Sequence, residues 1–248
     1  MEVTTTKFDN DTIRSLYDNT AKIPLFWYFD ALFSRATENS IYRKKAIASL
    51  NLTSNSAVLD VACGTGLNFK IIESYLRSNG RLVGVDLSSG VLKVAGKRIA
   101  KHNWTNIELV NTNIMDYKPE LLFDAALCTF ALETMSDYKI AVDKIFRLLK
   151  PRGKFAMIGV KVNSRMPYKL GNRFVEWFSR RFGGLNLHRD VAAYIESKCN
   201  KVYYEECFEG FYYVLSTSKS YLNEYEKRTL SYVRSQKRLI QDTSLSFF

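Results

Sequence analysis

Short apolar runs alternate with longer amphipathic stretches through the first two thirds of the chain. Ala57–Val61 (AVLDV) ends in a turn of small residues, and 68–77 continues at helical spacing, which predicts strand, turn and helix. Residues 81–85 (RLVGV) predict a second strand ending at Asp86, with Ser88 and Ser89 as candidate caps for a helix over 91–102. A third run, 107–110, leads into 111–114, and a fourth, 124–129 (DAALCT), follows a loop. Apolar residues at 141, 145, 148 and 149 form a helical stripe stopped by Lys150-Pro151-Arg152-Gly153, after which 154–160 predict a fifth strand. Strands and helices alternating in this way are βαβ units, whose right-handed crossovers build a doubly wound α/β sheet with helices on both faces. Beyond Val160 the alternation lapses into a long segment, 161–189, with helical stretches. Two β-rich runs at 201–207 and 211–216, separated by Phe208-Glu209-Gly210, then predict an antiparallel hairpin at the sheet edge.

Composition narrows the class. With 248 residues, 46% hydrophobic and 14% aromatic, the chain can bury one full core, and its 4 Pro and 12 Gly are too few and too dispersed for a linker-rich or collagenous protein. The longest apolar runs fall far short of the roughly 18 residues of a membrane span. The first ten residues lack a basic-then-apolar leader, so the expectation is a cytoplasmic protein. Cys63, Cys128, Cys199 and Cys207 form no C-x-x-C pair, and His102 and His188 are the only histidines, so no metal site is expected and the cysteines read as buried free thiols. A net charge of +11 favours an anionic partner: nucleic acid, an acidic lipid surface or a negatively charged substrate.

In sheets of this type ligands bind where strands end, and the first strand-to-helix turn must let a ligand approach the backbone. Asp60-Val61-Ala62-Cys63-Gly64-Thr65-Gly66 occupies that position. Gly64 and Gly66 clear side chains from the turn, and Asp60 is a candidate acceptor for a cationic amino group. Asp86 follows Gly66 by 20 residues, the spacing at which a strand-end carboxylate accepts ribose hydroxyls. Together these form a nucleoside-binding constellation.

The ordered set VLDVACGTG, VGVDLS, the strand-end polar residue Asn113, Phe123-Asp124 and LLKPRGKFAMIG resembles the class I S-adenosylmethionine-dependent methyltransferases over about 59–216. That resemblance implies a Rossmann-like seven-stranded sheet in the order 3-2-1-4-5-7-6, strand 7 antiparallel, with an N-terminal helical cap and an insertion after strand 5. One methyltransferase domain over 1–219 would comprise a cap (1–50), a cofactor core (51–160), an acceptor-side insertion (161–195) and an edge hairpin (200–217), followed by a basic helical extension (220–248). For S-adenosyl-L-methionine it implies Asp60 and the loop Ala62, Cys63, Gly64, Thr65 and Gly66 around the methionine part and Asp86 on the ribose. Leu87, Asn113 and Ile114 would surround the adenine, with Cys128 and Thr129 beneath the sulfonium. Two positions depart from the family pattern: Ala62 replaces the first glycine of G-x-G-x-G, and Asn113 replaces an aspartate.

Since the cofactor supplies an activated methyl group, the protein's work is largely in-line positioning. Adenine-N6 methylation is disfavoured because Cys128-Thr129-Phe130-Ala131 replaces the Pro-Pro-aromatic cluster that chemistry uses. Catechol-type metal chemistry is disfavoured because Glu133 and Asp137 stand isolated in the sequence, and cytosine-C5 methylation because Cys128 has no neighbouring Pro. The resemblance implies an acceptor roof from 17–35, containing Leu25-Phe26-Trp27-Tyr28-Phe29, and from 166–187, containing Tyr168, Phe174, Trp177, Phe178 and Phe182. Arg165, Lys169, Arg173, Arg180 and Arg181 interleave with the latter rings, a pattern of either an anionic-lipid interface or a solvated basic face. The opening YDNTAKIP, DVACGTG and EGFYYVLSTSK are similar to quinone C-methyltransferases and soluble bacterial-type phosphatidylethanolamine N-methyltransferases. The expectation is a small-molecule or lipid-borne acceptor, such as a phospholipid amine or a quinone precursor, and peripheral contact with an anionic membrane. RNA, protein or a soluble metabolite remains the alternative. The sequence assigns no catalytic residue; the candidates are Tyr17 and Tyr28, as lid residues, and His188, as a base or else a surface or capping residue.

Overall fold

The computed structural model describes residues 9–20, 39–161 and 186–219. Tyr28, residues 21–35 and 166–185 of the aromatic roof segments, the five insertion cations and the extension 220–248 lie outside these residues. Among the described residues two helices, α1 (Asn10–Thr20) and α2 (Asn39–Ala48), precede the first strand. The alternation then runs β1 (Ala57–Val61), α3 (Phe69–Leu76), β2 (Arg81–Asp86), α4 (Ser89–His102), β3 (Ile107–Asn111), β4 (Phe123–Thr129), α5 (Tyr138–Leu148) and β5 (Leu149–Val160). α6 (Val191–Lys198), β6 (Val202–Cys207) and β7 (Tyr212–Ser218) complete it.

One seven-stranded sheet results, in the order β3-β2-β1-β4-β5-β7-β6. β1 through β5 pair in parallel, whereas β7 runs antiparallel to both β5 and β6. The fold expected from the sequence is therefore the fold observed. β5 begins earlier than its apolar run, at Leu149, because the register with β4 shifts between Phe123 and Ala125 and absorbs the Pro151–Gly153 stretch. β3 stops at Asn111, so Asn113 stands two residues past the strand end.

The pleat divides the core. Val58, Leu82, Leu127, Ala156 and Ile158 face a layer made by α2, α3 and α4, while Leu59, Val83, Ala126, Phe155 and Met157 face α5 and α6. All four cysteines are buried and free. Among the described residues no helix is long and apolar enough to cross a membrane. Because β7 is antiparallel, Tyr212 at its start pairs with Val160 at the end of β5, which brings the β6–β7 turn to the carboxyl edge of the parallel strands.

Candidate functional site

The chain leaves β1 through a left-handed turn. Ala62, Gly64 and Gly66 have φ of 52°, 56° and 75°. The turn is bound to its neighbour by Cys63 N–H donating to the Val85 carbonyl at 3.1 Å and by Gly64 N–H donating to Asp86 Oδ2 at 2.8 Å. Arg98 of α4 donates from Nε to the Thr65 carbonyl at 2.9 Å. The two glycines serve different ends. A Cβ on Gly64 would meet nothing within 4 Å, so its surroundings are open to a ligand, whereas a Cβ on Gly66 would lie 2.5 Å from the Phe69 ring. Gly66 thus leaves room for the Phe69 ring, a packing requirement of the turn that the sequence did not show. Cys63 turns its sulfur toward Gly84, where an added Cβ would come within 2.8 Å.

Asp60 is fully buried at the end of β1. Asn68, at the start of α3, donates its amide to both Asp60 oxygens at 3.0 and 3.1 Å and to Thr129 Oγ1 at 3.2 Å. Arg43 of α2 closes the network, donating from Nη1 to Asn68 Oδ1 at 2.6 Å and to Thr129 Oγ1 at 2.8 Å. Burial pushes the Asp60 pKa up to about 7, against the Asn68 hydrogen bonds and the Arg43 charge, which pull it down. A carboxyl poised in this way ionises readily once another cation arrives. The Arg43 guanidinium also lies 5.4 Å from the Phe130 ring, which packs edge-on against Tyr212 at 5.2 Å, and Phe208 stacks on Tyr212 at 5.2 Å. An aromatic wall with a cation at its foot therefore borders the Asp60 network.

Asp86 accepts from Gly64 N–H on one oxygen and from Ser88 N–H, at 2.9 Å, on the other. Burial raises its carboxyl above the ordinary value while those two N–H donors lower it. Beside it, Asp18 of α1 accepts from Ser88 Oγ at 2.6 Å and from Gly90 N–H at 2.8 Å, capping α4 from a distant helix. Asn111 donates its amide to the carbonyls of Asp86 and Leu87 at 3.0 and 2.9 Å, holding the strand end over which an adenine would lie. Asn113 instead uses Oδ1 to accept from Met115 N–H at 3.0 Å. Ile114 is buried in the core and Leu87 is half-buried.

The structure brings Asp60, Ala62, Gly64, Asp86, Leu87 and Thr129 to one edge of the sheet. Cys128 is set apart, since its side chain is wholly buried toward α5 and burial pushes its thiol well up, which removes it as a nucleophile. His188 is exposed in the turn before α6, its N–H donating to Asn186 Oδ1 at 3.1 Å. Tyr17 is half-buried on α1, next to Asp18. Glu133, isolated in the sequence, is fully buried after β4. Its Oε1 accepts from Tyr213 Oη at 2.8 Å and from Val160 N–H at 3.3 Å, and its carbonyl accepts from Asn186 N–H and the Arg189 guanidinium. Glu133 Oε2 has no hydrogen-bond partner among the described residues, and burial pushes the pKa to about 7.

Sequence reasoning missed Arg43, Asn68, Asp18 and Asn111. Asn68 carried a signal, a polar residue facing a core position two residues past the glycine turn. The other three depend on contacts that no local spacing encodes. The donor set suits an S-adenosyl group: a buried carboxyl beside an open glycine for a cationic amino acid, and a strand-end carboxylate with lone pairs left for a diol.

A family described as a methyltransferase domain matches residues 52–229. The chain is 30% identical over 118 residues to a demethylmenaquinone methyltransferase of Listeria monocytogenes, covering 47% of this chain and 50% of that protein. A protein of the same name from Oceanobacillus iheyensis is 28% identical over 142 residues, 57% of this chain and 58% of its own. The chain thus spans about half the length of the curated relatives it matches. In fold it is similar to the N-methyltransferase NodS of Bradyrhizobium japonicum in complex with S-adenosyl-l-homocysteine, with a TM-score of 0.61 at 16% identity over 85% of this chain and 98% of that one. A SAM-dependent methyltransferase from Aquifex aeolicus superposes with a TM-score of 0.58 at 17% identity over 86% and 100%.

Proposed function

The chain belongs to the S-adenosylmethionine-dependent methyltransferase family, and from that premise we propose that it methylates a lipid-borne quinone precursor. The observation that carries the choice of acceptor is the aromatic wall of Phe130, Tyr212 and Phe208 beside Arg43, at the strand edge that also holds Asp60 and Thr129. Flat rings receive a flat aromatic acceptor, and a nearby guanidinium favours negative charge on a ring oxygen. Similarity to demethylmenaquinone methyltransferases supports the same acceptor class.

When bound, the cofactor supplies a methyl group on a positively charged sulfur, which keeps the electron pair of the bond that breaks. The chain's residues position the partners. In this reading Asp60 receives the amino group, the Gly64 turn admits the amino-acid portion, Asp86 accepts the ribose hydroxyls, and Leu87 with the Asn113–Ile114 turn flanks the adenine. Thr129, fixed by Arg43 and Asn68, shapes the floor on which sulfur and acceptor align. Alignment of this kind is worth roughly 7–11 kcal/mol. The domain limits expected from the sequence, with the insertion as roof and peripheral contact with an anionic membrane, belong to the same proposal.

Isotopically labelled methyl transfer from the cofactor into a total lipid and metabolite extract tests it. Label in the quinone fraction is expected. Label confined to phospholipid amines, RNA, protein or water-soluble metabolites would assign a different acceptor.

A further inference from the structure

Charge is unevenly divided between the two helical layers. Between residues 39 and 107 the chain carries ten Lys and Arg against three carboxylates, Asp60, Glu73 and Asp86. None of those three is exposed: Asp60 and Asp86 belong to the candidate site, and Glu73 is buried against the Asn106 amide. The exposed charges that α2, α3 and α4 themselves contribute are therefore all cations, and the carboxylates set beside them come from other elements, Asp18 of α1 at the start of α4 and Glu205 of β6 next to Lys45. Lys45 pairs with Glu205, Arg81 with Glu108, and Arg43 and Arg98 turn inward to the site. Lys44, Lys70, Arg77, Lys93, Lys97 and Lys101 are exposed and form no ion pair among the described residues. The opposite layer is mixed in sign, with Asp143 of α5 paired to Lys198 of α6 at 3.4 Å.

We propose that the α2–α3–α4 face docks the protein on an anionic lipid bilayer. The three helices pack side by side on one face of the sheet, so their cations spread over a surface and do not line a groove. Lys93, Lys97 and Lys101 recur every four residues, a stripe along α4 with steps of about 6 Å. Five of the six unpaired cations are lysines, mobile point charges that follow a fluid surface. Arg77 is the one guanidinium fork among them, the group that nucleic-acid recognition favours. Strand direction orients the patch toward the site. β1 and β2 run up to the Asp60–Asp86 edge, so α3 and α4, which leave it, begin there, with Lys70 in the first turn of α3 and Lys93 in the second turn of α4. α2, returning by way of the 49–56 loop, also starts at that edge, where Ile41 is 53% exposed. An apolar side chain beside lysines at the mouth of the site suits insertion among lipid headgroups. The preference for a bilayer over nucleic acid rests on the lipid-borne acceptor proposed above. The surface differs from the Arg165–Arg181 segment that the sequence suggested.

The test is co-sedimentation of the full chain with phosphatidylcholine vesicles, with and without phosphatidylglycerol. Binding is expected only with the anionic lipid, to weaken as salt rises, and to fall about tenfold or more when Lys70, Lys93 and Lys97 are changed to Glu. A Lys→Gln set should give an intermediate loss, and affinity for S-adenosylhomocysteine should be unchanged in both. Vesicle binding that survives the Glu set, or tight binding to single-stranded RNA by a protein that ignores anionic vesicles, overturns the proposal. Methyl transfer to a short-chain, water-soluble quinol separates the two readings. Turnover without vesicle binding removes the docking face and keeps the acceptor, whereas lysine-dependent vesicle binding without quinol turnover removes the acceptor and keeps the docking face.

Discussion

Asp86 Oδ2 accepts the N–H of Gly64 at 2.8 Å, across 22 residues of sequence and between two adjacent strand ends. The carboxylate expected to hold a ribose thus also fixes the turn expected to hold the amino-acid part. Asp86→Ala should weaken S-adenosylhomocysteine binding by about 1.5–3 kcal/mol and also loosen the turn. Calorimetry showing wild-type affinity in that variant would remove Asp86 from the site.

Asp60 gives a pH signature. With its pKa near 7 in the free protein, it is largely protonated at slightly acid pH, and a cationic amino group placed beside it favours the ionised form. Cofactor binding near neutrality should release a proton, and affinity should rise as pH increases through about 7. Titration calorimetry in buffers of different ionisation enthalpy measures that proton. A buffer-independent heat, or the same release in Asp60→Asn, contradicts the assignment.

Glu133 should appear in stability, not in binding. Its pKa is raised from 4.5 to about 7 by burial, so the folded state holds a proton that the unfolded chain gives up. The associated stability is fully present below pH 4.5 and is lost as pH rises through about 7. Glu133→Gln should remove that pH dependence, so that the difference between the two proteins' melting profiles changes between pH 4.5 and about 7. A parallel offset at every pH would mean that Glu133 titrates normally.

The two glycines should separate by phenotype. Gly66→Ala forces a Cβ into the Phe69 ring at φ 75° and should cost about 1–3 kcal/mol of stability. Gly64→Val, directed into open space, should lose cofactor affinity in larger proportion, because the branch enters the ligand's approach. Denaturant melts and calorimetry on both proteins decide this, and equal effects on both readouts would show that the turn behaves as one unit.

Asn113 distinguishes two ways of reading adenine. If its amide oxygen has a lone pair to spare beyond the Met115 N–H, Asn113→Asp should keep or improve cofactor affinity while Asn113→Leu loses it. Equal affinity in all three proteins would assign the adenine edge to Leu87 and the strand end that Asn111 holds.

By itself the sequence determined the order of strands and helices, the glycine turn after β1 and the carboxylate at the end of β2. Each is a local property: a period of apolar positions, a backbone that needs positive φ, a residue at the end of an apolar run. The strand order followed from the family resemblance and was met in the structure. Tertiary structure alone decided which polar groups meet. Arg43 reaches Thr129 across 86 positions, Asp18 caps α4 at Gly90 across 72, and Glu133 meets Tyr213 across 80. Periodicity tells which side of an element is buried but not what stands opposite. A buried polar side chain is tolerated only when its partner arrives from another element, so those pairings come into being with the packing.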